Sequence, residues 1–504
     1  MIRVLDERIS EVGNLIYHTD VYLGRTSHSR AVLRVLFPFQ TCPYSSQMAS
    51  KSMSGKPVVF IGAADVICAQ AVQFFAAACE APIVLADPAG EDAIRQATAK
   101  VAAGRATARK VDIFDPSALS QIITGASLVV NGLQPYYSTS PPVIRACIDA
   151  KIPYLDFSDD VKSTQDSLLL SEEAKKQGVP CYINCGAAPG MSNLMALDAA
   201  RELDTVNTID VCWYVSDQGG ANGKEVLEHL MHITAGPCLT WANGKAAVNE
   251  NWVETVHTPI GPGGRDVILH ETVHPEPVTL PRAFPNASRI RCVGALNPAP
   301  FNGFARGLSK AVRSGALTMD GAIDFLWNLA TKQGSNQGSL GGAFSAIAAE
   351  LRRGDITLNQ LYQLVSQTAG SLDPWRHAIW GMIEQIRDGE CSTMDVVRFM
   401  INSASGKHAP NESGMLVRIH GIRNGCPAEI IRRRPAAGQV AMNHNMAAEI
   451  GSSCATFMLV VLQTELGSHT RAGVHCPEDW ADPQVFFKTM EQLGLRPEEI
   501  VEYS

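Results

Sequence analysis

The stretch Val58–Gln70, VVFIGAADVICAQ, has the pattern of a nucleotide-binding turn, in which an apolar strand runs into a small-residue loop and then a helix. In G-x-G-x-x-G, the first glycine allows the tight turn, the second lets the backbone approach a pyrophosphate, and the third lets the helix pack closely. Only the first is present, as Gly62, while Ala64 and Ile67 occupy the other two positions. The stretch predicts a Rossmann turn and leaves open whether it still binds a dinucleotide.

The composition is that of an ordinary folded protein with more than one domain. A chain of 504 residues, 46% hydrophobic and 18% charged, is too long for a single core. The net charge of −8 argues against a nucleic-acid partner, and we find no apolar run approaching the roughly 18 residues that span a membrane. Thirteen scattered cysteines lack zinc-site spacing, which predicts a reducing compartment and no metal.

Residues 1–56 are predicted to be a leader outside the fold, either disordered or not translated. From Val21 to Ala64 there is no acidic residue, and basic residues are interspersed with serine and threonine, as in a mitochondrial transit segment. Such segments avoid acidic residues, however, and the first 20 residues contain several, so that translation starting at Met48 or Met53 is an equally good interpretation. We expect a cytoplasmic protein, or a mitochondrial matrix protein if residues 1–52 are a transit segment.

Strands and helices alternate after the leader, which predicts an α/β fold with a parallel, doubly wound sheet. We assign residues 57–182 to this Rossmann-type domain. Residues 183–302 and 407–445 contain strands with polar alternation, which predict an α+β mixed-sheet domain, with a hairpin that turns at Asn424-Gly425. Residues 303–406 have a helical pattern throughout and are predicted to be a helical insert.

Candidate cofactor-binding residues lie at the predicted strand ends, where open parallel sheets bind ligands. Asp87 ends the second strand, where an acid binds the adenosine ribose and favours NAD, and no arginine follows it to bind the 2′-phosphate of NADP. Asp112 follows the third strand, on the adenine side, and Asn131 ends the fourth, on the nicotinamide side. The predicted cofactor-binding residues are Gly62, Ala63, Ala64, Val66, Ile67, Asp87, Asp112, Asn131, Gly132 and Leu133.

Four stretches, read together, resemble the saccharopine dehydrogenase family. They are LVVNGLQPYYSTSPPVIRACIDAKIPYLDFSDD (Leu128–Asp160), CGAAPGMSNLMA (Cys185–Ala196), HETVHPEPVTLPR (His270–Arg282) and RAGVHCPEDWADPQVFFKTMEQLG (Arg471–Gly494). The resemblance implies an NAD(P)-dependent Rossmann domain completed by C-terminal helices within residues 446–504, and a second domain with substrate and dimer contacts. It therefore implies a homodimer and a small-molecule substrate. Family members reduce an imine between an amino acid and a carbonyl compound, or oxidise the resulting secondary amine.

The chain departs from the family in the loop after Cys185. Saccharopine-forming reductases carry G-x-D-P-G followed by an acidic residue and a histidine, and these positions contact substrate in the family. The glycines and the proline match within Gly186–Gly190, but Ala188 replaces the acid, and Ser192-Asn193 replace the following pair. The departure predicts a divergent relative that acts on another substrate.

The predicted catalytic residues are Tyr136, Asp159, Cys185 and His274, because hydride transfer to a carbon–nitrogen double bond needs a proton donor beside the nitrogen. Tyr136 could donate the proton and Asp159 could hold an iminium group, although a packed loop tyrosine and a helix N-cap are the structural alternatives. His274 lies in the sequence HPEP, where Glu276 could orient it, and a structural histidine is the equal alternative. The arginines that could bind a substrate carboxylate are Arg265, Arg282 and Arg291.

The sequence therefore predicts an NAD(P)-dependent oxidoreductase that acts on an imine, a secondary amine or a related amino-acid derivative. The alternative is a non-redox or lyase-like enzyme that kept the Rossmann scaffold. Ala64 and Ile67 support the alternative, and so does Asp65, whose charge would lie near a pyrophosphate unless the side chain caps the helix. Cofactor binding distinguishes the two.

Overall fold

The computed structural model describes residues 55–101, 104–216, 224–331, 358–404, 412–435, 446–465 and 471–504. These residues belong to one compact unit, Met53–Ser504. The predicted leader, apart from its last two residues, lies outside the described residues.

Two sheets organise this unit. The strands of the parallel sheet are β1 (Val58–Ile61), β2 (Ile83–Asp87), β3 (Ala106–Lys110), β4 (Leu128–Asn131), β5 (Tyr154–Asp156), β6 (Pro180–Tyr182) and the late strand β15 (Gly473–His475). The strands of the mixed sheet are β7 (Thr205–Ser216), β8 (Cys238–Ala242), β9 (Lys245–Asn249), β10 (Thr255–Gly261), β11 (Arg265–Glu271), β12 (Arg289–Asn297), β13 (Gly414–Arg423), β14 (Cys426–Arg434) and β16 (Glu502–Tyr503).

Helices cover both sheets and also lie within the predicted insert, of which residues 332–357 and 405–406 are outside the described residues. Those of the parallel-sheet half are α1 (Val66–Ala78), α2 (Glu91–Ala97), α3 (Pro116–Ile123), α4 (Tyr136–Ala150), α5 (Val161–Leu169), α6 (Ser171–Gln177) and α7 (Met191–Ala200). The remainder are α8 (Lys224–Ala235), α9 (Glu276–Thr279), α10 (Pro300–Arg313), α11 (Met319–Thr331), α12 (Leu358–Arg387), α13 (Thr393–Ala404), α14 (Met446–Val460), α15 (Pro477–Trp480) and α16 (Pro483–Gln492).

The parallel sheet has the strand order β15-β6-β5-β4-β1-β2-β3. Strands β1 and β4 are buried along their whole length, as expected of a sheet covered by helices on both faces. Strands β1 and β4 are parallel neighbours, but the order in which strands are added changes between them: β2 and β3 follow on one side, and β5 and β6 on the other. Ligands of open α/β sheets bind at the carboxyl ends of the strands beside such a switch point. The predicted α/β class, with a Rossmann-type sheet and a second, mixed sheet, is confirmed.

The C-terminal segment contributes to both sheets. Helix α14 packs against α1, and β15 pairs with β6 at the edge of the parallel sheet, where we expected the C-terminus to complete the Rossmann domain. The last strand differs from that assignment, because β16 pairs with β14 of the mixed sheet. The predicted hairpin is present: β13 and β14 pair antiparallel, and Asn424 and Gly425 between them have φ of 51° and 76°.

The stretch Met446–Gln463 is an apolar run of the length that we did not expect to find in this sequence. Its 18 residues have a mean hydropathy of 1.4, enough by length and composition to cross a membrane. In the fold, 67% of this stretch is buried, and α14 is part of the main hydrophobic core. The core helix of a folded domain meets the same criterion, so the stretch is weak evidence for a membrane segment.

Candidate active site

A cavity of ≈ 180 Å³ lies between the carboxyl edge of the parallel sheet and the mixed sheet, and we call it the cleft. The parallel-sheet half and the loop before α9 contribute polar groups to its wall, while β7, α8 and α14 contribute most of the apolar ones. The residues that matter for its chemistry are Gln134, Asp159, Trp213, Ser216, Leu230, His274 and Glu449.

The loops after β1 and β4 touch at Gly62. Gly62 has φ +88°, and a Cβ atom there would lie 2.5 Å from the backbone nitrogen of Leu133. A Cβ atom at Gly132 would lie 2.5 Å from the Phe157 ring and 2.8 Å from Cys68. Gly62 is therefore required by the close approach of the two loops, and Gly132 by the Phe157 ring and by Cys68 of α1. The two loops form the floor of the expected nucleotide site.

Asp65 caps α1 with its side chain. Its Oδ1 accepts hydrogen bonds from the N–H groups of Ile67 at 2.8 Å and Cys68 at 3.1 Å. Free N–H groups at a helix N-terminus are what a pyrophosphate binds in this fold. The N–H of Ala63 is directed inward, to Ala86 O at 3.3 Å. Asp65 thus adopts the cap alternative and occupies donors that a cofactor would use.

Asp87 has a different role from the ribose contact that the sequence predicted. Its Oδ2 accepts the N–H of Ala64 at 3.0 Å, and its Oδ1 accepts the N–H of Ala89 at 2.8 Å. Only 4% of Asp87 is exposed. The carboxylate therefore ties the loop after β1 to the loop after β2, and it presents little surface to a ribose.

The other predicted cofactor residues share the same edge of the sheet but differ in accessibility. Asn131 is fully buried, and its Oδ1 accepts the N–H of Leu133 at 3.2 Å. Asp112 is exposed beyond the end of β3, and Val66 is 47% exposed at the start of α1. Ile67 lies in the wall of the cleft. The edge is formed as predicted, although Asn131 supports the loop instead of facing a ligand.

His274 and Glu276 form a buried pair at the cleft. His274 Nδ1 lies 2.5 Å from Glu276 Oε2, and Glu276 Oε1 accepts a hydrogen bond from Ser192 Oγ at 3.0 Å. Burial lowers the pKa of His274, but the charge and hydrogen bond of Glu276, with a contribution from Asp159, raise it above its ordinary value. The cleft therefore contains an imidazole that holds its proton more firmly than a free histidine does.

Asp159 is positioned by a buried carboxyl group behind it. Asp156 Oδ1 accepts the N–H groups of Ser158 at 3.1 Å and Asn184 at 2.9 Å, which fixes the loop after β5. Burial raises the pKa of Asp156 to about 6. Within the predicted acidic pair, Asp160 caps α5, accepting the N–H of Ser163, while Asp159 lies in the wall of the cleft.

Tyr136 and Cys185 are placed where the predicted catalytic roles do not suit them. Tyr136 is 5% exposed and packs edge-to-face on Phe157, at 6.1 Å between ring centroids, as in the packed-tyrosine alternative. Burial raises its pKa well above the ordinary value. Cys185 is fully buried with Sγ 3.6 Å from Ile183 O, and burial raises its pKa also. Neither of these two is among the described residues that line the cleft.

Ser192 and Asn193 support the site from behind, a role that the sequence did not reveal. Both are fully buried, whereas the matching positions in the resembled family contact substrate. Asn193 Nδ2 donates to Glu478 Oε2 at 2.8 Å and to Thr279 Oγ1 at 3.3 Å. Burial raises the pKa of Glu478 to about 7. The substituted pair thus links α7 to the loop of His274 and to α15.

Three donor atoms near the cleft, from His274, Glu276 and Cys292, lie within 4.8 Å of one another. His274 Nδ1 and Glu276 Oε2 are already engaged with each other at 2.5 Å. Burial raises the pKa of the Cys292 thiol, which lies beside this pair. We therefore assign the group as an ion pair beside a buried thiol.

Residues 58–181 match the family model of the saccharopine dehydrogenase NADP binding domain. The apo histidine-tagged saccharopine dehydrogenase (L-Glu forming) from Saccharomyces cerevisiae has the same fold, with a TM-score of 0.55 and 16% identity over 89% of this chain and 99% of that one. Residues 58–181 are therefore similar to that NADP binding domain, and the likeness to the yeast enzyme shows a shared fold. A meso-DAPDH mutant with DAP from Clostridium tetani E88 aligns over 88% of this chain and 98% of its own, at 10% identity and a TM-score of 0.38. The domain match supports an NAD(P)-dependent oxidoreductase with a nicotinamide cofactor.

Proposed function

We propose that this saccharopine dehydrogenase-like protein reduces an imine, or oxidises the corresponding secondary amine, by hydride transfer with NADP(H). The observation that carries the proposal is the His274–Glu276 pair, which lies in the cleft next to Ile67 and Gln134 from the nucleotide-binding edge of the parallel sheet. A proton donor and a nucleotide edge in one cavity are the two components that this reaction needs.

Each polar residue of the cleft has a separate role in the proposed reaction. A nicotinamide cofactor bound at the edge formed by Ile67 and Gln134 would supply the hydride to the substrate carbon, or would accept it in the reverse direction. Protonated His274 donates its proton to the imine nitrogen, while Glu276 fixes the ring through Nδ1. Asp159 lies where its carboxylate stabilises the positive charge of the protonated imine. The apolar wall excludes water from the reacting atoms.

The preference for NADP(H) is based on Lys110, which replaces our sequence-based preference for NAD. Lys110 pairs in register with Asp87 at the ends of β3 and β2. It is exposed, and a Cβ atom at Gly90 would lie 3.9 Å from its Cδ. Its ammonium group therefore reaches the loop after β2, where the adenosine ribose lies in this fold. A cation at this place attracts a 2′-phosphate.

We expect Lys110→Ala to weaken NADPH binding about tenfold and to leave NADH binding unchanged, because only NADPH carries the 2′-phosphate. Calorimetric titration of the full chain with each cofactor measures both affinities. Lys176→Ala, which removes an exposed charge on α6, is the matched control and should change neither. Equal losses for the two cofactors would reject the assignment of Lys110.

The second candidate is a Rossmann-scaffold enzyme without redox chemistry, and two observations favour it. Asp65 occupies the N–H groups of α1 that a pyrophosphate would bind, and the buried Asp87 is engaged with the backbone. Binding of neither NADPH nor NADH at millimolar concentration would establish this candidate over the first.

We expect Asp65→Ser to tighten NADPH binding about fivefold, because serine keeps a capping oxygen but removes a negative charge from the pyrophosphate position. The same titration measures the change. Asp115→Ser is the control, since Asp115 caps α3 in the same way, accepting the N–H groups of Ser117 and Ala118. An affinity that does not change in Asp65→Ser would show that a pyrophosphate does not bind at the start of α1.

A further inference from the structure

The wall of the cleft is mainly apolar. Trp213 from β7, Leu230 and Ile233 from α8, and Leu296, Phe301 and Met415 from the mixed-sheet half all line it. Trp213 is held flat against β12, because a Cβ atom at Gly294 would lie 2.1 Å from its ring. Such a wall fits an aliphatic or aromatic group and leaves few partners for a strongly hydrated one.

The charged groups in this wall are acidic or paired with an acid. Asp159 and Glu449 contribute carboxyl groups, and His274 shares its proton with Glu276. None of the described residues that line the cleft is a lysine or an arginine. Arg434 lies behind Glu449 and is not among the described residues that line the cleft. Its Nε is 3.3 Å from Glu449 Oε1, and its Nη1 donates to Ile500 O at 3.0 Å.

The three arginines that the sequence proposed as carboxylate ligands are all paired elsewhere. Arg265 binds Glu412 and also donates to the hydroxyl of Tyr214 at 3.4 Å. Arg282 binds Asp479. Arg291 makes a two-pronged, buried pair with Asp210, at 2.7 and 3.2 Å. Breaking such a buried pair to bind a substrate would leave an acid without its cation.

We infer that the cleft takes an apolar amine, or the iminium derived from it, and discriminates against substrates that bear carboxylates. The inference rests on the proposed function and specifies its substrate class. An ammonium or iminium group gains from Asp159, and its apolar substituents fill the wall at Trp213 and Leu230. A carboxylate would lose its hydration beside acidic groups, without a described lysine or arginine to bind it.

The test uses three probes of one shape: 4-phenylbutylamine, 4-phenylbutanol and 4-phenylbutyrate. Each is titrated calorimetrically into the full chain near neutral pH, with saturating NADPH and again without cofactor. We expect the amine to bind at least tenfold more tightly than the carboxylate, with the alcohol between them. Asp159→Asn should weaken amine binding at least fivefold and leave the alcohol unchanged. Asp166→Asn, which removes an equal charge on α5, should alter none of the three.

The outcomes separate this inference from the proposed function. A carboxylate that binds as tightly as the amine, or an amine affinity that Asp159→Asn does not alter, overturns the inference even if NADPH binds. Failure of NADPH to bind overturns the proposed function, while the titrations without cofactor still measure the preference for the amine. Thermal unfolding of both Asn variants checks that they are folded.

Discussion

Gly62→Ala is expected to destabilise the protein by about 2–5 kcal/mol and to abolish NADPH binding. An alanine at φ +88° costs about 1–2 kcal/mol, and its Cβ atom would lie 2.5 Å from the nitrogen of Leu133. Separating the loops after β1 and β4 to make room adds the cost of overpacking, typically about 1–3 kcal/mol. Urea unfolding and calorimetric titration with NADPH measure the two effects.

Gly125→Ala is the matched control, because Gly125 shares the positive φ of Gly62 but not its close contacts. Gly125 has φ +81° but no atom within 4 Å of an added Cβ, so Gly125→Ala should cost only about 1–2 kcal/mol and leave NADPH binding intact. If Gly62→Ala is no more harmful than Gly125→Ala, the two loops separate easily, and the contact between them does not define the nucleotide site.

The fold was predictable because its signals are local in sequence. The apolar run before Gly62, the alternation of strands with helices and the pair Asn424-Gly425 each determine their own element, whatever the rest of the chain does. The place of β15 at the edge of the parallel sheet and of β16 at the edge of the mixed sheet depends on pairing with distant segments. The sequence alone contained no local signal for either.

The site was predictable to the extent that its partners are close in sequence. Glu276 orients His274 from two positions away, and HPEP suggested the pair. Ser192, by contrast, reaches Glu276 across 84 positions, so the departure from the family motif was visible while its consequence was not. Asp87 and Lys110 show the same limit, because strand register alone brings the lysine beside the loop after Asp87.

His274→Gln is expected to lower kcat by about 10²- to 10⁴-fold, the range that a lost general acid produces. The assay is NADPH oxidation with the amine–carbonyl pair that gives the fastest turnover in a screen. Reduction needs protonated His274, and Glu276 raises the pKa of His274 above its ordinary value. The wild-type rate therefore falls as pH rises through that raised pKa. In Glu276→Gln the charge is lost, the pKa of His274 falls, and the decline in rate moves to lower pH.

A second buried histidine provides the control for this prediction. His270 Nε2 lies 3.0 Å from Glu390, and its ring stacks on Trp252, but it is not among the described residues that line the cleft. His270→Gln removes a similar buried pair, so it should reduce stability while kcat stays close to that of wild type. If the two histidine variants lose activity equally, or if Glu276→Gln leaves the pH profile in place, His274 serves the packing of its loop, and the proton donor must be sought elsewhere in the cleft.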